Sequence, residues 1–443
     1  MEGNGNKFVS PPKRLPPPLP PAARKPGSSP LPAAARKAPP PPHQPATKPN
    51  TTPITPPPVP RQIAIPYEEL TVDNLVRLFT LGQLRKVVNY LREDFGGEFY
   101  FRPADHLDMP GALVIHNGKR NVVLVGDQHG NEARLDLLLR QLAPRLAAGE
   151  IELCFLGDLI HPENIDNLSD MTSSLQVLKT LIMLKVLYPD RVHLTPGNHD
   201  ILFTRLEILN AIVEHEFSQP NESIIHLKDY IAKKVTLEEK DRPMFNGKPD
   251  KEGAWILQSL IFMRALIKDL KDQGLDREGA IAAVSDYQSF FNGSPLAILI
   301  NGPEGATLAM HSIPRIEEMG ITPGKGLETR RGVHQNDLIE GRLNGLMFQI
   351  IWNKFTRGEF SREDVIAIIN NLAEDLGIDP DKINVFAAHE YFPGTWWVQP
   401  FKNVNFGMIH GNVASFYGAM MVVNGRPQVV NVPVADTPAE AAA

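Results

Sequence analysis

Three short apolar runs, each stopped by a glycine and a cluster of acids, amides and imidazoles, constrain this chain more than anything else in its 443 residues. Val122–Val125 runs into Gly126-Asp127-Gln128-His129-Gly130-Asn131, and Ile151–Leu156 runs into Gly157-Asp158. Arg191–Leu194 leads to Gly197-Asn198-His199-Asp200. Runs of this length, separated by helical periodicity over Glu132–Leu142 and Leu175–Leu187, read as strands alternating with helices, which specifies an α/β sheet. In open α/β sheets the polar residues just past the strand C-termini line the ligand crevice. Glycine lets the backbone turn sharply there without a steric penalty.

The rest of the chain falls into unequal parts. Residues 1–62 are rich in Pro, Ala, Lys and Arg and hold about half of the 41 prolines. They bury too little apolar surface to offset ordering entropy, so they read as a disordered basic tail of polyproline II character. Residues 434–443 read as a second disordered tail. Between them, 63–433 form one domain. It opens with two helices, over Leu70–Phe79 and Leu84–Leu91. Ala112–His116, Asn117-Gly118 and Asn121–Val125 then read as a hairpin with a type I′ turn. Residues 201–290 are mostly helical, with amphipathic stretches at Leu206–Phe217, Ile224–Val235 and Ala254–Leu270. Strands return at Leu296–Ile300 and Thr307–Met310, a helix follows around Asp364–Leu372, and 384–432 is strand-rich.

Composition removes several function classes. The net charge of −6 gives no reason to expect nucleic-acid binding. The single cysteine, Cys154, rules out an internal disulfide and a cysteine-built zinc site. It fits a reducing, cytoplasmic compartment. No run of about 18 apolar residues is present to span a membrane, and the N-terminus has no apolar core of a secretory signal.

The residues after the three strands suit a pair of cations. Carboxylate and imidazole donors accommodate Mn, Fe or Zn, and one carboxylate can bridge two ions about 3.5–4 Å apart that share a hydroxide. The order Gly-Asp-x-His-Gly, Gly-Asp, Gly-Asn-His-Asp resembles that of the calcineurin-like metallophosphoesterases. Downstream stretches resemble the phosphoprotein phosphatase branch. Phe290-Phe291-Asn292-Gly293-Ser294-Pro295-Leu296-Ala297 precedes Leu308-Ala309-Met310-His311. Gln349-Ile350-Ile351-Trp352, Thr356-Arg357-Gly358, Val385-Phe386-Ala387-Ala388-His389 and Gly418-Ala419-Met420-Met421 follow in the family's order.

The resemblance implies two mixed β-sheets packed as a sandwich flanked by helices, with 201–290 as a helical insertion. It implies two divalent metal ions, manganese first, with iron or zinc as other occupants. Asp127, His129 and Asp158 would hold one ion, and Asp158, Asn198, His311 and His389 the other. Asp158 is then the shared ligand, His199 the proton donor to the leaving oxygen, and Arg357 a phosphate contact. The implied activity is hydrolysis of phosphate monoesters on phosphotyrosine, phosphoserine or phosphothreonine proteins by a metal-bridging hydroxide. The other histidines, among them His193, His215 and His226, are expected on the surface or satisfied in the core.

The sequence also departs from the family. Where Gly-Asp-x-x-Asp-Arg-Gly is usual, it has Gly157-Asp158-Leu159-Ile160-His161-Pro162-Glu163-Asn164, which removes an orienting acid and a phosphate-contacting arginine. A short His410-Gly411-Asn412-Val413 segment replaces a longer loop. His161 or Glu163 is expected to orient His199, and His410 to face the substrate. The helical insertion is expected beside the site as a cap or specificity element. The opened site leads to the expectation that phosphotyrosine peptides are hydrolysed at least as well as the others.

Two further readings stand beside the main one. One is a small-molecule phosphoesterase such as a dinucleotide polyphosphate hydrolase. The other is an adaptor with a degenerate phosphatase fold, working through the tail. Arg14-Leu15-Pro16-Pro17-Pro18-Leu19-Pro20 has the spacing that docks in SH3 grooves. A eukaryotic-looking phosphatase domain behind such a tail also fits a bacterial effector delivered into a host cell.

Overall fold

The computed structural model of the chain describes residues 65–92, 112–116, 120–161, 171–200, 206–219, 222–235, 251–315, 353–390, 397–410 and 417–432. The tails 1–62 and 434–443, the Asn117-Gly118 turn, Pro162, Glu163, Trp352 and Gly411–Val413 lie outside these residues.

Eleven strands are described. They are β1 (Ala112–His116), β2 (Asn121–Val125), β3 (Ile151–Phe155), β4 (Val192–Leu194), β5 (Ala297–Gly302) and β6 (Gly305–Met310), then β7 (Ile383–Ala387), β8 (Trp397–Val398), β9 (Phe406–Ile409), β10 (Tyr417–Val423) and β11 (Arg426–Val432). They form a five-stranded sheet of order β11-β10-β2-β3-β4 and a six-stranded sheet of order β1-β5-β6-β7-β9-β8. In the first, β2, β3 and β4 are parallel; in the second, β6, β7 and β9 are parallel. Both sheets also contain antiparallel pairs, so both are mixed.

The sheets pack face to face. Side chains alternate across a strand, so Val122 and Leu124 of β2 meet Ile298 and Ile300 of β5 in the apolar layer between the sheets. Val123 and Val125 point the other way, into a helical layer. The outer face of the second sheet is covered by the helix Arg362–Leu376, through Val365, Ile368 and Leu372. This is the sandwich flanked by helices that the motif series implied.

The expected hairpin does not form. β1 pairs in parallel with β5, Ala112 opposite Ala297, whereas β2 belongs to the other sheet between β10 and β3. An Asn-Gly pair is a local signal, and here the long-range partners of the two strands decide the topology.

Among the described residues, eight helices join the apolar layer on the outer face of the first sheet, α1 (Val72–Leu78), α2 (Leu81–Arg92), α3 (Glu132–Ala147), α4 (Thr172–Leu187), α5 (Leu206–Ser218), α6 (Ile224–Lys234), α7 (Lys251–Asp272) and α8 (Arg277–Asn292). Asn131, which closes the first glycine loop, also caps α3 by accepting from the Arg134 amide. Helix α4 is buried on every face, including Lys179 and Lys185, as expected of a helix that is apolar all round. Lys179 is held by Asp269 of α7 at 2.7 Å. The insertion helices α5–α8 share one apolar cluster with α1–α4 and the outer face of the first sheet.

Candidate metal centre

Six strand ends build the site. In the first sheet, Val125 lies opposite Phe155 and Phe155 opposite Leu194. Asp127, Asp158 and Asn198 therefore follow three neighbouring parallel strands. In the second sheet, β6, β7 and β9 are likewise neighbours, with Met310 opposite Ala387 and Ala387 opposite Met408. They end in His311, His389 and His410. All six residues are buried, His311 completely.

Their donor atoms converge. Asp158 Oδ2 is 3.4 Å from His311 Nε2, 3.9 Å from His389 Nδ1 and 3.9 Å from His129 Nε2. Asp127 Oδ2 is 3.9 Å from His129 Nε2 and 3.8 Å from His410 Nε2. Asn198 Oδ1 is 3.3 Å from His311 Nε2, which is 3.0 Å from His389 Nδ1. Three sets of donors are close enough to share an ion: Asp127/His129/His410, His129/Asp158/His199 and Asp158/His311/His389.

Outer contacts fix these groups. His129 Nδ1 donates to the His161 carbonyl at 3.1 Å and His311 Nδ1 to the Leu156 carbonyl at 2.7 Å. Each leaves its Nε2 free to offer a lone pair, the usual arrangement for a metal-bound imidazole. Asp127 Oδ1 accepts the His389 amide at 3.1 Å and Asp158 Oδ1 the His199 amide at 2.9 Å. Asp200 Oδ1 accepts the Leu159 and Ile160 amides and Oδ2 the Gly197 amide, tying the second glycine loop to the third.

The backbone is shaped for the same end. Among the described residues, His129, Asp158, His161 and His389 are four of the six non-glycine residues with positive φ, a strained state that clusters at functional sites. Gly157 has φ +92°, and a Cβ there would stand 2.6 Å from His311 Nδ1.

Electrostatics fit a cation. Asp127 Oδ2 is buried without a hydrogen-bond partner. Burial and the neighbouring Asp158 push the Asp127 carboxyl up to about 6 against the pull of His311 and His129. Burial also pushes Asp158 upward, but His311 and His199 hold it well below the usual carboxylate range. Burial lowers His199 to about 4. An orphaned carboxylate oxygen facing imidazole nitrogens is a donor set that lacks a positive centre, and carboxylate-plus-imidazole sets suit divalent Mn, Fe or Zn.

A family model for calcineurin-like phosphoesterases matches residues 120–393, which spans the five strand ends from Asp127 to His389. The chain belongs to this family. Among solved structures, this calcineurin-like phosphoesterase aligns with a Saccharomyces cerevisiae serine/threonine phosphatase described as similar to a human phosphatase. The identity is 13%, the TM-score 0.46, and the alignment covers 85% of this chain and 92% of that one. A hypothetical protein from Pyrococcus horikoshii aligns at 11% identity and TM-score 0.32, over 71% and 89% of the two chains. No curated protein matches it significantly. Membership implies divalent metals, and the clusters above can hold them.

The structure brings Asp127, His129, Asp158, Asn198, His311 and His389 together in this phosphoesterase, with the His199 ring edge-on to His129 at 5.1 Å. Arg357 is elsewhere. Its side chain is 51% exposed and its ionic contact is Glu359 at 3.9 Å. The cation whose field reaches both His199 and His389 is Lys354. Its segment is tied down by Ser312 Oγ on the Asn353 carbonyl and by Thr356 on Glu390, and Ser312 and Glu390 adjoin His311 and His389 in the chain.

His161 does not orient His199. The rings are 5.7 Å apart, and both His161 nitrogens are buried without partners. Phe262 of α7 lies against the His161 ring at 5.4 Å, so the insertion borders the site there. Burial holds His161 well below the usual imidazole range, hence neutral. His193 and His215 are core residues paired with Glu152 and Glu216. His410, expected to face the substrate, is 2% exposed and turned to Asp127. Its one sequence signal was its position directly after the run that forms β9, Phe406–Ile409.

Proposed function

We propose that this chain is a dinuclear-metal phosphoprotein phosphatase that hydrolyses phosphate monoesters on protein side chains. The observation that carries the hydrolytic reading is the buried convergence of Asp127, His129, Asp158, Asn198, His311 and His389, with one carboxylate, Asp158, reaching imidazoles on both sides. The protein-substrate reading rests on the phosphoprotein-phosphatase stretches from Phe290 to His389 in the sequence.

Asp127, His129 and Asp158 would hold one cation and Asp158, Asn198, His311 and His389 the other. The two ions would supply Lewis acidity toward phosphate oxygens and water that ionises near neutral pH. The chain's own residues do the rest. His129 and His311 are locked in one tautomer by their carbonyl partners. His199 is held at the cluster by the hydrogen bond its backbone N–H donates to Asp158 Oδ1. It would carry a proton to the leaving oxygen, and the negative charge of an arriving phosphate raises its affinity for that proton. Lys354, whose charge reaches His199 and His389, is the cation that would meet phosphate where the sequence has Pro162 in place of an arginine.

The test is a substrate panel on Mn-loaded protein, with phosphopeptides differing only in the phosphorylated residue beside dinucleotide polyphosphates. A tenfold or greater kcat/KM advantage for phosphopeptides, abolished in Asp158→Asn, is expected. The opposite preference would replace the protein substrate by a small molecule. No turnover of any ester by metal-loaded protein would leave an adaptor working through the Pro-rich tail.

A further inference from the structure

We infer that His410 is a ligand of the first cation, completing with Asp127, His129 and Asp158 a set of four donors. This rests on the two-cation reading above and extends it, because the residues assigned there give four donors to the second ion and three to the first.

The register places His410 first. Ala387 of β7 lies opposite Met408 of β9 in a parallel pair. His389 and His410 are each two residues beyond that pair, so they stand at the same level on neighbouring strands. Both therefore emerge at the same end of neighbouring parallel strands. His410 is thus to β9 what His389 is to β7, one strand nearer the sheet edge formed by β8.

The distances then assign the ion. His410 Nε2 is 3.8 Å from Asp127 Oδ2, the oxygen that has no hydrogen-bond partner. That is too long for a hydrogen bond. It matches the 3.9 Å from His129 Nε2 to Asp127 Oδ2 and to Asp158 Oδ2. Donors bonded to one ion at about 2.0–2.2 Å stand roughly 3–3.5 Å apart, so a small inward movement of each would satisfy the set. The burial of His410 argues against a role in greeting substrate, and its 6.3 Å ring separation from His129 keeps both imidazoles on the first ion's side.

The experiment is a calorimetric titration of chelator-treated protein with Mn²⁺ and with Co²⁺, for the wild type, His410→Ala and His410→Cys. Circular dichroism of each metal-free variant checks the fold. The wild type should take up two equivalents. In His410→Ala one equivalent should weaken by tenfold or more while the other is unchanged. In His410→Cys, Co²⁺ should produce a thiolate-to-cobalt charge-transfer band absent from the wild type, whose Cys154 is buried between the sheets. Two equivalents in His410→Ala with affinities within twofold of wild type would overturn the assignment and leave the phosphatase reading standing. So would two bound Co²⁺ in His410→Cys without the band, a result that decides the matter even if the alanine variant fails to fold. A wild type that binds no divalent ion would overturn the two-cation reading itself.

Discussion

Gly157→Ala isolates how tightly the two sheets are fitted at the site. The new Cβ would stand 2.6 Å from His311 Nδ1, 2.7 Å from Gly197 N and 2.8 Å from Gly197 Cα. Ordinary contact starts near 3.4 Å, so the His311 ring must retreat by about 0.8 Å (3.4 less 2.6) or the third glycine loop by about 0.7 Å (3.4 less 2.7). Neither move is soft, since His311 is pinned to the Leu156 carbonyl and Gly197 to Asp200. A non-glycine residue at φ +92° adds about 1–3 kcal/mol of backbone strain, and overpacking adds about 1–3 kcal/mol. We expect a loss of about 2–6 kcal/mol in urea unfolding of metal-free protein. Hydrolysis of nitrophenyl phosphate should fall by roughly 10²-fold, the usual cost of displacing a reacting group by about 1 Å. Gly377→Ala is the matched control, at φ +65° with nothing within 4 Å of its Cβ. It should cost roughly 1–2 kcal/mol and leave hydrolysis unchanged. If both variants lose equal stability and equal activity, the close approach of the sheets is not what Gly157 is for.

Three other outcomes follow from the same geometry. His199→Ala should lower kcat by roughly 10²–10⁴ on alkyl phosphates and by less on nitrophenyl phosphate, whose leaving group needs no proton; equal losses would make His199 structural. Burial pushes Lys185 down to about 7, against about 10.4 in the unfolded chain. Between those values the unfolded chain binds a proton the folded one has shed, so stability rises with pH across the window. Lys185→Met should flatten that rise between pH 7 and pH 9 in urea midpoints, and an unchanged slope would refute it. Removing residues 1–60 should leave kcat on nitrophenyl phosphate unaltered, and a large fall would place part of the catalytic domain inside that segment.

What the sequence made legible follows from which forces act locally. The loops after β2, β3 and β4 were readable because a buried parallel strand is a short apolar run and its sharp exit demands glycine. The pairing of β1 was not, since its partner β5 lies about 185 residues away and nothing in Ala112–His116 encodes it. The burial of Lys179 and Lys185 has no local signal, because it comes from the enclosure of α4 by the elements packed around it. His410 carried no motif and was expected to face substrate, whereas the register of β9 against β7 and its approach to Asp127 turn it to the cluster. Arg357 preceded a glycine as the family pattern asks, yet the turn that Gly358 closes leaves its side chain half exposed.

The division of donors between two sheets has a consequence for how the protein is proofread. Asp127, Asp158 and Asn198 come from one sheet and His311, His389 and His410 from the other, each at a strand end set by its neighbour's register. Slipping any of these strands by one residue turns its donor to the opposite face. A pair of ions that draws donors from both sheets therefore tests six registers between them, and a misregistered sandwich offers one or both an incomplete set. Binding only the correct form withdraws that form from the folding equilibrium by mass action. Metal added to a refolding mixture should then raise the fraction of native chains, and chelator should reverse that gain. The centre is in that sense an inspector of the fold as well as a place for chemistry.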